Sequence, residues 1–162
     1  MAQRDHAVAN LGGGKTVNFR YEYNSLCDAE PITRVNLLSA QDHLMAGDDS
    51  LTANELRGLV YAMILPDTLG FPKDDQAKAL LFCGDLIRPD IRAAIMEGLA
   101  EAIAIAISVE YAEEWRRKVE AVRAAAVRDA ATANAAGTDA AAEEDNSTPA
   151  SVASIDKVKV PA

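Results

Sequence analysis

Large apolar side chains thin out after Trp115, and that limits where a core can form. Beyond Gly137 the chain reads TDAAAEEDNSTPASVASIDKVKVPA, with only scattered Val and Ile. Such a segment has too little apolar surface to offset the entropy of ordering it. A disordered acidic tail is therefore expected over residues 137–162, with one packed domain before it. Alanine is plentiful and aromatics are few, which suits helices better than a β-sandwich.

The helix signals lie within that first part. Thr52 followed by Glu55 has capping-box spacing. Leu56, Leu59, Val60, Met63 and Ile64 then recur at the spacing of one buried helix face, and Pro66 is expected to end it. Ser25 and Asp28 have capping-box spacing too, and Pro31 should end or kink the helix they open. Asn36 to Gly47 carries Leu37, Leu38, Leu44 and Met45 at helical spacing, with Gly47 as a stop. A further helix is expected to open near Pro72 or Lys73, with Asp74 and Asp75 at its start and Leu80, Leu81, Leu86 and Ile87 along it.

The longest pattern places Ile91, Ile95, Leu99, Ile103, Ile107, Tyr111 and Trp115 four residues apart. That spacing drifts by about 40° per step, so one continuous helix would wind its apolar line around itself. After Trp115, the pairs Glu113–Arg117, Glu114–Lys118 and Arg116–Glu120 suit a solvated helix face. Ala124 to Ala136 prolongs it by propensity.

Ahead of the helices, Val17, Phe19, Tyr21 and Tyr23 alternate with polar residues. A hairpin is expected, with a weak strand near Ala7 to Leu11, a glycine turn, and a stronger strand from Lys15 to Tyr23. The expected fold is mainly α: a hairpin over 1–23, a compact helical domain over 24–115, an exposed Ala- and charge-rich helix extension over 116–136, and the tail.

The turn LGGGKTVNF imitates a phosphate-binding loop. A P-loop needs a first glycine where Ala9 stands, a buried strand before it and a helix after it. TVNFRYEY reads as a strand, so the motif fails. Cys27 and His43 lack an orienting third residue, and both Cys27 and Cys83 read as small buried core residues. His6 and His43 have no metal-ligand spacing. Arg116, Arg117, Lys118, Arg123 and Arg128 form a local basic patch, but Glu113, Glu114 and Glu120 interrupt it. A net charge of -9 opposes nucleic-acid binding through bulk electrostatics. MAQRDHAVAN has no signal-peptide core, and GLAEAIAIAISV is too short for a membrane span. A soluble cytoplasmic protein without cofactor, metal or catalytic residues is expected.

The order of parts is more informative than any single motif. A glycine turn and strand lead at once into Tyr23-Asn24-Ser25-Leu26-Cys27-Asp28-Ala29-Glu30, and a compact helical set includes SLTANELRGLVYAMIL. This resembles the small tail-assembly proteins of long-tailed phages and gene transfer agents. Those commonly share the glycine turn, the strand, an aromatic-Asn-Ala-Leu-Cys-x-x-Glu helix start, and a Leu-x-x-Leu-Arg-x-Leu-Val-Trp-Ala helix. The matching residues are Tyr23 to Glu30 and Leu51 to Ala62, within a resemblance that spans residues 11 to 110. Pro31 departs from the pattern, and everything after Trp115 lies outside it.

The resemblance implies a tail assembly chaperone of the host cytoplasm. Such a protein binds the tape-measure protein, helps recruit tail-tube subunits, is no enzyme, and leaves before the particle is complete. A homo-oligomer is compatible with that role. The alternative is a structural virion protein such as a head–tail connector subunit. The apolar residues expected to remain partly open for a partner are Leu56, Val60, Ile103, Ile107, Tyr111 and Trp115. In this reading the helical domain holds one partner and the tail another.

Overall fold

The computed structural model describes residues 5–47 and 50–139. The chain divides into two units, Met1–Glu120 and Ala121–Ala162. The first is mainly helical, with a small N-terminal hairpin.

The hairpin pairs β1 (Ala7–Asn10) antiparallel with β2 (Thr16–Phe19), Ala9 opposite Val17. Gly12, Gly13 and Gly14 all have positive φ, a run that side-chain-bearing residues resist. The Leu11 N–H donates to the Lys15 carbonyl at 2.9 Å and closes the turn. This is why three glycines precede Lys15, and no helix follows to cradle a phosphate. β2 is shorter than expected. Arg20 leaves it to donate its N–H to the Met63 carbonyl at 2.8 Å, and Tyr23 already begins the first helix.

That helix, α1 (Tyr23–Thr33), is capped at Glu22 without a side-chain cap bond, so the Ser25–Asp28 box is not used. Pro31 lies inside α1 rather than ending it. In the last turn it forfeits only one hydrogen bond, to the Cys27 carbonyl. The chain turns at Arg34, which takes a left-handed φ of 58° and donates its N–H to the Glu30 carbonyl at 2.8 Å. α2 (Leu37–Ala46) follows as expected, between Asn36 and a left-handed Gly47. Glu30 accepts the Leu37 N–H at 2.9 Å, so the last residue of the motif Tyr23 to Glu30 caps the next helix.

α3 (Ala53–Met63) opens with the expected capping box. Glu55 Oε2 accepts the Thr52 N–H at 2.7 Å, and Thr52 Oγ1 accepts the Glu55 N–H at 3.2 Å. Its stripe of Leu56, Leu59, Val60, Met63 and Ile64 is buried throughout, and α3 touches α1, α2 and the two helices that follow. It ends before Pro66, because Ile64 is drawn into extended pairing with Phe19.

α4 (Gln76–Asp85) starts later than expected. Pro72 to Asp75 form a turn, and Asp75 caps the helix by accepting the Lys78 N–H at 3.1 Å. Ala79, Cys83 and Leu86 face inward, whereas Leu81, expected on that face, points to solvent.

The long final pattern is two helices, α5 (Arg92–Ile107) and α6 (Val109–Asp139), separated at Ser108. Ser108 is extended, and its Oγ accepts the Tyr111 N–H at 3.0 Å, which restarts the helix. Arg116 Nε meets Glu101 Oε1 at 2.6 Å. Along one straight helix those residues would stand about 22 Å apart, so α6 turns back toward α5. Glu101 thereby takes Arg116 from its expected partner Glu120, while Glu114–Lys118 forms as expected at 2.8 Å.

In the second unit, α6 continues from Ala121, and its described side chains to Ala136 are exposed. The backbone stays helical through Gly137 to Asp139, past the expected start of the tail. Residues 140–162 of that expected tail lie outside the described residues.

α5 packs on the hairpin at close range. A Cβ at Gly98 would come within 2.9 Å of the Ala9 Cβ and 3.1 Å of the Phe19 ring. Helix propensity alone favours Gly98→Ala by about 1 kcal/mol, but overpacking a filled core costs about 1–3 kcal/mol. Gly98→Ala should therefore lower the urea midpoint; a raised midpoint would show that the hairpin yields.

The capping box makes a pH-dependent prediction. Hydrogen bonds from the Thr52 backbone and hydroxyl, with a smaller effect of His43, hold the Glu55 carboxyl below its ordinary 4.5. A depressed carboxylate stabilises the fold above that pH and loses its effect as pH falls through the lowered value. Thr52→Ala should cost about 1 kcal/mol at neutral pH. The gap from wild type should narrow below pH 4.5 in denaturation curves.

Candidate functional site

The six residues expected to meet a partner separate into two groups. Leu56, Val60 and Ile103 are buried in the core and present no surface. They sit where α3 and α5 meet neighbouring elements on several sides, so the expectation that they remain open is corrected. Trp115 is half-buried and packs against the same core.

Ile107 and Tyr111 are different. Ile107 is 59% exposed, and Tyr111 38%. Val109, which sequence reasoning did not single out for a partner, lies between them at 43%. The cause is the interruption at Ser108. It ends α5 at Ile107, and Ala112 rather than Tyr111 becomes the buried residue of the first turn of α6. The outcome is a short apolar surface around the α5–α6 junction. The four-residue spacing contained all of its positions except Val109, but could not show that the helix breaks among them.

A concavity lies between α1, the end of α3 and the loop before α4. It has a volume of about 450 Å³. Ile32, Tyr61, Ile64 and Phe71 supply apolar walls, with Asp28 and Lys73 among the polar ones. Burial raises the Tyr61 phenol above its ordinary value. Phe71 is fixed edge-on to Phe82, ring centroids 5.7 Å apart. No motif announced this cleft, because its walls come from segments that are distant in sequence.

The thiols do not form a catalytic pair. Cys83 is buried, and desolvation pushes it up to about 12, against a smaller opposing effect of Arg57. It is an inert core thiol, as expected. Cys27 is exposed, contrary to the expectation of burial, because Leu26 and Ala29 form the inward side of α1. Its interacting neighbour is Tyr23, whose hydroxyl it holds above its ordinary pKa through a side-chain hydrogen bond. His43 instead faces Glu55, Nδ1 to Oε1 at 3.9 Å, longer than a hydrogen bond. Among the described residues no group of three or more His, Cys, Asp or Glu is placed to hold a metal ion. No described helix is long and apolar enough to cross a membrane.

The two cysteines should be kinetically distinct. Cys27 should react with an aromatic disulfide reagent in the native protein, and Cys83 only after denaturation. Cys27→Ser should remove the native phase; a native phase that survives it would place Cys83 within reach of solvent.

Comparison with protein-family models, with curated proteins and with solved structures returned no match to this chain.

Proposed function

We propose that this chain is a binding protein of long-tail morphogenesis, a tail assembly chaperone. It covers an apolar helical stretch of the tape-measure protein and helps bring tail-tube subunits to it. The reading rests on the resemblance carried by Tyr23 to Glu30 and Leu51 to Ala62. The single structural observation that supports it is the exposed apolar surface of Ile107, Val109 and Tyr111, beside the half-buried Trp115.

The physics of the task matches that surface. A long apolar helix left in water aggregates, and a protein that shields it needs an apolar face of its own. Aromatic and branched side chains carry most of the energy of such contacts. The net charge of -9 favours keeping loaded complexes in solution. Arg116, held by Glu101 at 2.6 Å, keeps the first turns of α6 against α5 and so fixes the surface in place.

The test is co-expression of the full chain with a tape-measure protein of a long-tailed phage or gene transfer agent. The tape-measure protein should remain soluble and co-purify. The double substitution Ile107→Ser with Tyr111→Ser should weaken the complex at least about tenfold while leaving the helical circular dichroism intact. Undiminished binding by that variant would remove this surface from the proposal. Mass spectrometry of finished particles should find none of the chain; a stoichiometric amount would favour the head–tail connector role instead.

A further inference from the structure

The loop between α3 and α4 combines features that the binding role above does not use. Thr68 is buried, and its N–H donates to the Leu65 carbonyl at 3.0 Å. The Phe71 N–H donates back to the Thr68 carbonyl at 3.0 Å, closing a four-residue turn with Gly70 at a φ of 82°. That is the pattern of a type II turn, and it places Leu69 at the outer corner. Leu69 is 93% exposed. A single exposed leucine is ordinary on a protein surface. This one is unusual in its setting: buried Thr68 on one side and Phe71, locked on Phe82, on the other hold it out on a fixed support.

The same loop also builds a wall of the cleft described above. Pro66, Phe71 and Lys73 line the 450 Å³ cavity together with Ile32, Tyr61 and Ile64. The loop that carries the projecting apolar knob thus also walls a partly apolar hollow. A patch that holds both halves of a contact side by side can meet a second copy of itself about a two-fold axis, each knob filling the other's hollow.

Charge follows the same arrangement. Asp67 stands beside the knob, and Lys73 is the one cation among the cleft's lining residues. Neither has an ion-pair partner among the described residues. Asp28 and Asp74 also line the cleft, so an acid arriving with the knob is welcome only at Lys73.

We propose that Leu69 of one copy docks in the Ile32–Tyr61–Ile64–Phe71 cleft of a second copy, with Asp67 against Lys73, to form a reciprocal dimer. The occupant is a second chain of this protein rather than a foreign peptide, because knob, acid and cation stand on one loop, between α3 and α4, that also supplies Pro66 and Phe71 to the walls of the hollow.

Sedimentation analysis of the full-length chain over a range of concentrations tests this. A monomer–dimer equilibrium is expected, and a monomer at every concentration overturns the proposal. Leu69→Asp should raise the dimer dissociation constant at least about tenfold with unchanged circular dichroism. A dimer indifferent to that change also overturns it. The two-fold geometry has its own test. Asp67→Lys and Lys73→Asp should each weaken self-association, since each homodimer would then face like charges twice. An equimolar mixture of the two variants should associate more tightly than either alone, because both contacts become attractive in the mixed pair. A mixture no tighter than its components excludes the Asp67–Lys73 contact and, with it, the proposed dimer.

Discussion

The hydrogen bonds between β2 and the segment just after α3 tie the first part of the molecule to the rest. Arg20 donates to Met63 at 2.8 Å, and Leu65 donates to Asn18 at 2.9 Å. Between them Phe19 is fully buried and bridges Ile64. A two-stranded hairpin alone is marginal in water. Here its second strand is satisfied on both edges, by β1 on one and by the end of α3 on the other. The same pairing ends α3, since Ile64 cannot be both helical and extended. The hairpin, the termination of α3 and the entry into the loop before α4 are therefore consequences of one interaction.

Close approach on the opposite face depends on small side chains. Ala7 and Ala9 point inward from β1, and Gly98 faces Ala9 from α5. Each is too small to contribute much apolar area, but together they let helix and hairpin backbones come near enough to bury Phe19 and Val17. The alanines therefore have two roles along the chain. In β1 and α5 they permit contact, whereas in the second unit the alanines of α6 are exposed and serve helix propensity alone.

Two of the exposed apolar surfaces arise where regular structure stops. Ser108 interrupts an apolar run and leaves Ile107, Val109 and Tyr111 outside the core. Gly70 interrupts the path from α3 to α4 and leaves Leu69 outside it. In both cases a capped or hydrogen-bonded turn holds the apolar residue in place, so exposure here is built into the backbone. The apolar positions in mid-helix, Leu56, Val60 and Ile103, offer nothing to a partner because the elements around them are already complete.

Much of the fold was legible from local chemistry. The Thr52–Glu55 box, the stripe from Leu56 to Ile64, the Gly47 stop and the glycine turn each depend on residues only a few positions apart, and side chains at that range meet in any context. Pairs that must choose between near and far partners were not legible. Arg116 has Glu120 one turn away and takes Glu101, because α6 folds back. Pro31 and Pro66 mark helix ends by local rule, yet α1 runs past the first, and α3 stops before the second for the sake of Phe19. Of the six candidate partner residues, spacing could establish that they are apolar and helical. Only the packing decided which remain exposed, because burial depends on what lies across from a side chain, and that neighbour is supplied by another part of the chain.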